Sequence, residues 1–339
     1  MTALPNSNRR IALANRPAGA PQPDNFRLEE VPFPDPEPGE VLVRGLFLSV
    51  DPYMRGRIRD VKSYAPPVAV GGTMPGGAVG EVVRSRDPAF APGDLVVGDL
   101  GWQEFAAAPA KALRKVPPEV QPVSLALGVL GMPGLTAYFG LLEVGAAKAG
   151  ETVVVSSASG AVGAVVGQTA KIKGCRAVGI AGSDEKVAYC LDELGFDAAI
   201  NYNTGPDIGG ALKKACPDGI DVYFDNVGGP ITDAALLGLN ERARVAVCGQ
   251  ISGYNSETAE MGPRLLWQLI VKRARIEGFL IFDYAKRYDE ALRDLGEWVQ
   301  DGRIKFREDI AEGLEHAPEA FIGMLAGRNF GKQLVRLAR

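Results

Sequence analysis

Hydrophobic and polar positions change rhythm twice along this chain. Up to about Val120, short apolar runs are broken by frequent Pro and Gly. Pro32, Pro34, Pro36 and Pro38 exclude a helix or a central strand, so that stretch is extended. Residues 40–50 form a hydrophobic, β-prone run. Pro38-Gly39 and Pro92-Gly93 are turns that lead into strands at 41–43 and 95–97. Many short strands with frequent turns predict a small barrel or sandwich. Near Pro122 the pattern switches to alternating strands and helices. Strands are predicted at 152–156, 177–181, 198–201 and 219–224, with helices from Ala161 and over 184–194. Such alternation implies a parallel, doubly wound α/β sheet. From about Trp298 isolated strands return, the last over 333–337. The predicted organisation is a β-rich domain, an inserted α/β domain and a C-terminal return to the first.

Composition narrows the class. The 339 residues are 46% hydrophobic and 23% charged, the balance of a globular protein with two domains. The net charge of −4 is spread along the chain, and no Lys/Arg block supplies the phosphate neutralisation that nucleic-acid binding needs. The short basic cluster at 272–275 reads as a solvated helix end. No stretch approaches the ~20 apolar residues of a membrane span, and the polar first ten residues do not read as a secretory signal. Cys175, Cys190, Cys216 and Cys248 lie far apart with no Cys-x-x-Cys pair, so they read as reduced, mostly buried thiols of a cytoplasmic protein.

Candidate chemistry begins at Ala158-Ser159-Gly160-Ala161-Val162-Gly163. This run follows the 152–156 strand and opens an apolar helix, the context that a dinucleotide fingerprint requires. Small residues allow the tight turn and close approach to a pyrophosphate, and the helix N-terminus supplies N–H donors. Ala158 replaces the first glycine. An NAD site places an acid at the end of the second strand, about 20 residues on. Here that strand ends in Ile180-Ala181-Gly182-Ser183, and Asp184 and Glu185 belong to the first turn of the next helix. Lys186 either reaches a 2′-phosphate or is a plain surface lysine; the balance favours NADP.

Several reaction classes lack their residues. His316 is the one histidine, set in a polar stretch, so neither a Cys/His zinc site nor a histidine-based nucleophile system is easily assembled. No tyrosine has a lysine four residues later, the acid–base pair of short-chain dehydrogenases. Hydride addition to an activated alkene asks less: orientation of the substrate and stabilisation of an enolate.

The runs SVDPYMR (49–55), GMPGLTAY (131–138), ASGAVG (158–163), GSDEK (182–186), FDNVGG (224–229), CGQISGYN (248–255) and GRNFGK (327–332) together resemble the zinc-independent medium-chain dehydrogenase/reductases. The resemblance spans nearly the whole chain and is strongest to the leukotriene B4 dehydrogenase/prostaglandin reductase group, with its alkenal and curcumin reductase-type members. It implies a GroES-like domain over 1–125 and 298–339 and a Rossmann NADP-binding domain over 126–297. It implies that Gly160, Ala161, Val162 and Gly163 hold the pyrophosphate, with Gly182, Ser183, Lys186 and Tyr202 near the adenosine 2′-phosphate. Asn226 and the turn Cys248, Gly249, Gln250, Ile251, Ser252 and Tyr254 would line the cofactor cleft. Met132, Thr136, Phe279, Leu280 and Ile281 would lie near the nicotinamide, and Asn329 would reach it from the returning segment. Tyr53 and Met132 would face the substrate, with Tyr53 and Tyr254 as catalytic candidates. Plainer readings stand beside these: Pro133 and Thr136 suit a helix start, Tyr254 a buried tyrosine bonded to backbone, and Asn226 a turn. Val271 stands where several members carry a tyrosine, so no acid is carried over there.

The expected activity is NADPH-dependent reduction of the carbon–carbon double bond of an α,β-unsaturated ketone or aldehyde. NADPH would bind in a cleft between the domains, and Tyr254 with the cofactor ribose would stabilise the developing oxyanion. A quinone reductase and a non-catalytic NADPH-binding sensor are the alternatives. The resemblance also implies a homodimer joined through the nucleotide domain.

Overall fold

The computed structural model describes residues 4–205 and 207–337. They form two compact units, one from the N-terminal region to Leu127 plus Glu308–Asn329 and the segment from Gln333, the other Gly128–Arg307 with Phe330–Lys332.

In the first unit, Ser7–Leu13 and Phe26–Pro32 form an antiparallel pair. A seven-stranded sheet is built around Glu40–Ser49, which pairs antiparallel with Gly77–Ser85, Phe105–Pro109 and the C-terminal strand Lys332–Arg336. The prolines keep 33–37 out of regular structure, as their missing N–H groups require. The core is aromatic at its centre: Trp102 is fully buried, stacked on Phe26 and edge-on to Phe321. Phe321 lies on a helix, Ala317–Leu325, in the region predicted to hold isolated strands. Ala317, Phe321 and Met324 are its buried face, a 4-then-3 spacing that is helical.

The second unit holds a six-stranded sheet: β1 Thr152–Ser156, β2 Arg176–Ala181, β3 Ala198–Asn201, β4 Ile220–Asp225, β5 Leu239–Val247 and β6 Arg275–Gly278. Their order is β3-β2-β1-β4-β5-β6, with every pairing parallel. This is the doubly wound Rossmann order, in which the order of adding strands reverses between β1 and β4. The continuous apolar run of β1 reflects burial on both faces. The basic cluster straddles two elements: a helix Trp267–Lys272 ends at Arg273, in the left-handed region at φ 49°, and Arg275 opens β6. This unit extends to Arg307 because the buried Gln168 side chain clamps the backbone on both sides of Lys305, donating to its carbonyl at 2.9 Å and accepting its N–H at 2.7 Å.

Candidate functional site

The chemistry-bearing residues of the second unit gather at the carboxyl ends of its strands. β1 ends at Ser156, and Ser157 turns the chain with φ 54°. Ala158 is fully buried, its N–H donating to the Ile180 carbonyl at 3.0 Å. The helix proper runs Gly163–Ile172, two residues later than expected from Ala161, which leaves 160–162 as the turn. A side chain at Gly163 would collide with the Ser157 carbonyl, and one at Gly160 would sit 3.0 Å from the Ser157 hydroxyl. These positions form a cradle that a Cβ would fill, opening a ten-residue helix whose N-terminal dipole end faces the turn. A dinucleotide pyrophosphate fits such a turn. The Ala158 departure is accommodated one strand away, where a Cβ on Gly179 would come within 2.8 Å of the Ala158 methyl.

At the ends of β2 and β3 a second cluster forms. The Ser183 hydroxyl accepts the Lys186 N–H at 3.2 Å and caps the helix Asp184–Ala188. The Tyr202 ring lies over Gly182, so that an added Cβ there would stand 3.1 Å from the phenol oxygen. The Tyr202 N–H donates to the Ala181 carbonyl, and Asn203 Nδ2 donates to the Gly182 carbonyl at 2.8 Å. Gly182, Ser183, Lys186 and Tyr202 are thus neighbours. Asn201 ties down Asp184 at 2.7 Å. Asn201 and Asn203 went unnoticed in the sequence, although Asn pairs at strand ends signal side-chain-capped turns.

The third cluster lies where β1, β4 and β5 end together. Asn226 Nδ2 donates to the Ser156 carbonyl at 2.8 Å, and its backbone N–H donates to the Ser156 hydroxyl at 2.8 Å. Cys248 and Gly249 N–H groups donate to the Asp225 carbonyl at 2.8 and 3.1 Å. Ser252 donates to the Val227 carbonyl from both its N–H and its hydroxyl. The 226–229 and 248–254 turns are therefore laced together. The Tyr254 hydroxyl accepts the Gln250 N–H at 3.4 Å, close over Gly249. Burial holds this phenol above its ordinary value, the Gln250 N–H acts the other way, and Cys248 and Asp225 add to the rise. Burial, with the Asp225 charge second, pushes the Cys248 thiol up to about 12. The plainer readings of Asn226 and Tyr254 are thus present in the structure: both are bonded to backbone.

Phe279 follows β6 and meets Phe224 edge-on at 6.2 Å, and any side chain on Gly140 would collide with both rings. Ile281 is buried and Leu280 exposed. Met132 and Thr136 lie one turn apart on the helix Met132–Phe139, where the Thr136 hydroxyl donates to the Met132 carbonyl at 2.7 Å. Val271 is exposed on the helix Trp267–Lys272. Tyr53 and Asn329 belong to the first unit. Tyr53 starts a short helix, Met54–Arg57, and packs against the first unit's core. Burial, and then the charges of Asp51 and Asp99, hold its phenol far above the ordinary value.

The donor set does not suit zinc. Among the described residues, no group of three or more His, Cys, Asp or Glu could hold a metal ion. His316 is exposed beside Glu319. Burial pushes the Cys190 and Cys216 thiols up to about 12 and about 11, away from the thiolate that binds metal.

Comparison with known proteins covers both units. The family described as N-terminal domain of oxidoreductase matches residues 9–116, and the family described as zinc-binding dehydrogenase matches residues 161–297. The NADPH-dependent curcumin reductase of Escherichia coli (strain K12) is 49% identical over 336 residues, 98% of this chain and 97% of the relative. The NADP(+)-dependent 2-alkenal reductase of Nicotiana tabacum is 46% identical over 338 residues, 98% of each chain. Among solved structures, CurA from Vibrio vulnificus in complex with NADPH superposes with a TM-score of 0.93 at 46% identity, covering 98% of this chain and 99% of that one.

Proposed function

From this chain's membership of the medium-chain dehydrogenase/reductase family, within its group of NADPH-dependent double-bond reductases, we propose that it reduces the carbon–carbon double bond of α,β-unsaturated ketones and aldehydes with NADPH. The observation that carries this reading is identity of 46% or more along nearly the full length of an NADPH-dependent curcumin reductase and an NADP(+)-dependent 2-alkenal reductase.

In the proposed site, the 160–163 turn holds the pyrophosphate, and Lys186 and Tyr202 take the 2′-phosphate. A lysine ammonium suits a phosphate as a point charge, and the phenol adds a donor. Asn226, the 248–254 turn, Met132, Thr136 and Phe279–Ile281 support the nicotinamide end. Bound there, NADPH supplies a hydride for the β-carbon of the conjugated carbonyl. Negative charge then builds on the carbonyl oxygen, where Tyr254 stabilises it as a hydrogen-bond donor, and a proton taken from water at the α-carbon completes the saturated product. The raised pKa of Tyr254 keeps it protonated, and so a donor, through the neutral range. Tyr53 shapes the substrate's approach, also as a neutral phenol.

We place the protein in the cytoplasm as a homodimer. The described residues contain no helix long and apolar enough to cross a membrane, and the four cysteines are free thiols, as a reducing compartment favours. The edge strand β6 is exposed along its length. Trp267 and Ile270 on the helix before it and Phe282 after it are 54%, 80% and 64% exposed. Open strand edges and exposed large apolar side chains are ordinarily covered.

Mass spectrometry of a simple conjugated enone incubated with protein and NADPH tests the reaction. The expected product is the saturated ketone. An allylic alcohol, from attack at the carbonyl carbon, would contradict the assignment.

A further inference from the structure

Asp225 is completely buried at the last position of β4, beside β1, where the sheet reverses its winding. Its Oδ1 accepts the Tyr223 hydroxyl at 3.0 Å, the Val227 and Gly228 N–H groups at 3.0 and 2.9 Å, and the Ser156 hydroxyl at 3.3 Å. Its Oδ2 accepts the Thr232 hydroxyl at 2.6 Å. No ion pair to it occurs among the described residues; hydrogen-bond donors alone compensate the charge. A buried carboxylate is tolerated only when its lone pairs are filled this way, and here it is the acceptor for two backbone N–H groups and three hydroxyls that an apolar side chain would leave without it.

We propose that Asp225 is a positioning residue of the cofactor site, fixing the three strand-end segments that support the nicotinamide end of NADPH. The inference rests on the NADPH reading given above. The donors held by the carboxylate are the residues that set those segments. Val227 and Gly228 open the turn after β4, and Gly228 adopts φ 77° with the Gln250 side chain packed over it. Ser156 ends β1, and its hydroxyl, oriented toward Asp225, accepts the Asn226 N–H. That pairing sets Asn226 so that its amide reaches the Ser156 carbonyl. Thr232 anchors the helix Gly229–Leu237 from its first turn. The Asp225 backbone carbonyl captures Cys248 and Gly249, and the turn carrying Tyr254 follows. The side chain thereby couples β1, β4 and a helix. It reaches the 248–254 turn through Val227 and Gly228, where Ser252 and Gln250 meet the turn it fixes, and it acts without itself touching a reacting atom.

The test compares Asp225→Asn, Thr232→Val and Thr232→Ser in the full chain. Asparagine keeps the shape and Oδ1 but removes the charge and sets an N–H donor where Oδ2 accepts the Thr232 hydroxyl, valine deletes that hydroxyl, and serine retains it. The readouts are the NADPH Kd from nicotinamide fluorescence, the KM for enone, and the near-ultraviolet circular dichroism of each variant. Loss of a charge-assisted bond to a buried acceptor predicts a Kd raised roughly tenfold or more in Asp225→Asn. Thr232→Val should be raised by a smaller factor, Thr232→Ser should return to the unmodified affinity, and the enone KM should hold nearly constant. If Asp225→Asn does not fold, the Thr232 pair carries the test. Unchanged Kd in Thr232→Val with native circular dichroism, or equal Kd in Thr232→Val and Thr232→Ser, overturns the positioning role. Failure of the unmodified protein to bind NADPH overturns the cofactor reading instead, and the positioning role with it.

Discussion

Tyr254 and Lys186 bear most of the proposed chemistry, and each responds to substitution in its own way. Tyr254→Phe removes a donor aimed at the developing oxyanion, so kcat should fall on the order of 100-fold, with little change in NADPH Kd. Unchanged turnover in steady-state assays would remove Tyr254 from the mechanism. Its pKa direction gives a pH profile as well. Burial disfavours the phenolate, so the pKa lies above the ordinary 10.0 and the donating form persists to higher pH than for a free phenol. The kcat profile should therefore stay flat through pH 9, without the loss that a depressed phenol would cause below that. Lys186 sits beside Ser183 and Tyr202 and is assigned to a phosphate absent from NADH. Lys186→Ala should raise KM for NADPH roughly tenfold while leaving KM for NADH nearly unchanged.

Elements differed in how far the sequence disclosed them. β1 to β4 follow from apolar runs separated by glycine and polar turns, and the observed strands begin or end within a residue of those expected. The glycine turn at 160–163 was visible because its cause is local: Gly163 lies against the Ser157 carbonyl six residues back. Gly163→Ala should destabilise the protein by about 1–3 kcal/mol, through overpacking, and weaken NADPH binding, as thermal unfolding and fluorescence titration would report. The helix Ala317–Leu325 was missed although 317, 321 and 324 carry its period. Pro318 and the polar Glu315, His316 and Glu319 interrupt the apolar signal. Pro318 in fact occupies the first turn, where its missing N–H is not needed. Asp225 was legible only as a member of a motif. Its role depends on Ser156, 69 residues earlier, and on Thr232 seven residues later, and no local pattern records that convergence.

For the whole molecule, the fold class was carried by the alternation of strands with helices and by the return of strands after Trp298. The proposed assembly rests on surface chemistry: the exposed apolar side chains of Trp267, Ile270 and Phe282 predict a dimer of the 35.9 kDa chain, detectable by light scattering. Ile270→Glu should shift that mass to the monomer, and a monomeric unmodified protein would refute the proposed interface. The central claim concerns the reaction, and the most direct measurement is consumption of reduced nicotinamide in the presence of a simple conjugated enone, with NADPH and NADH in parallel. Rapid consumption with NADPH and little with NADH is the predicted result. Preference for NADH, or NADPH binding without consumption by any enone, would contradict it.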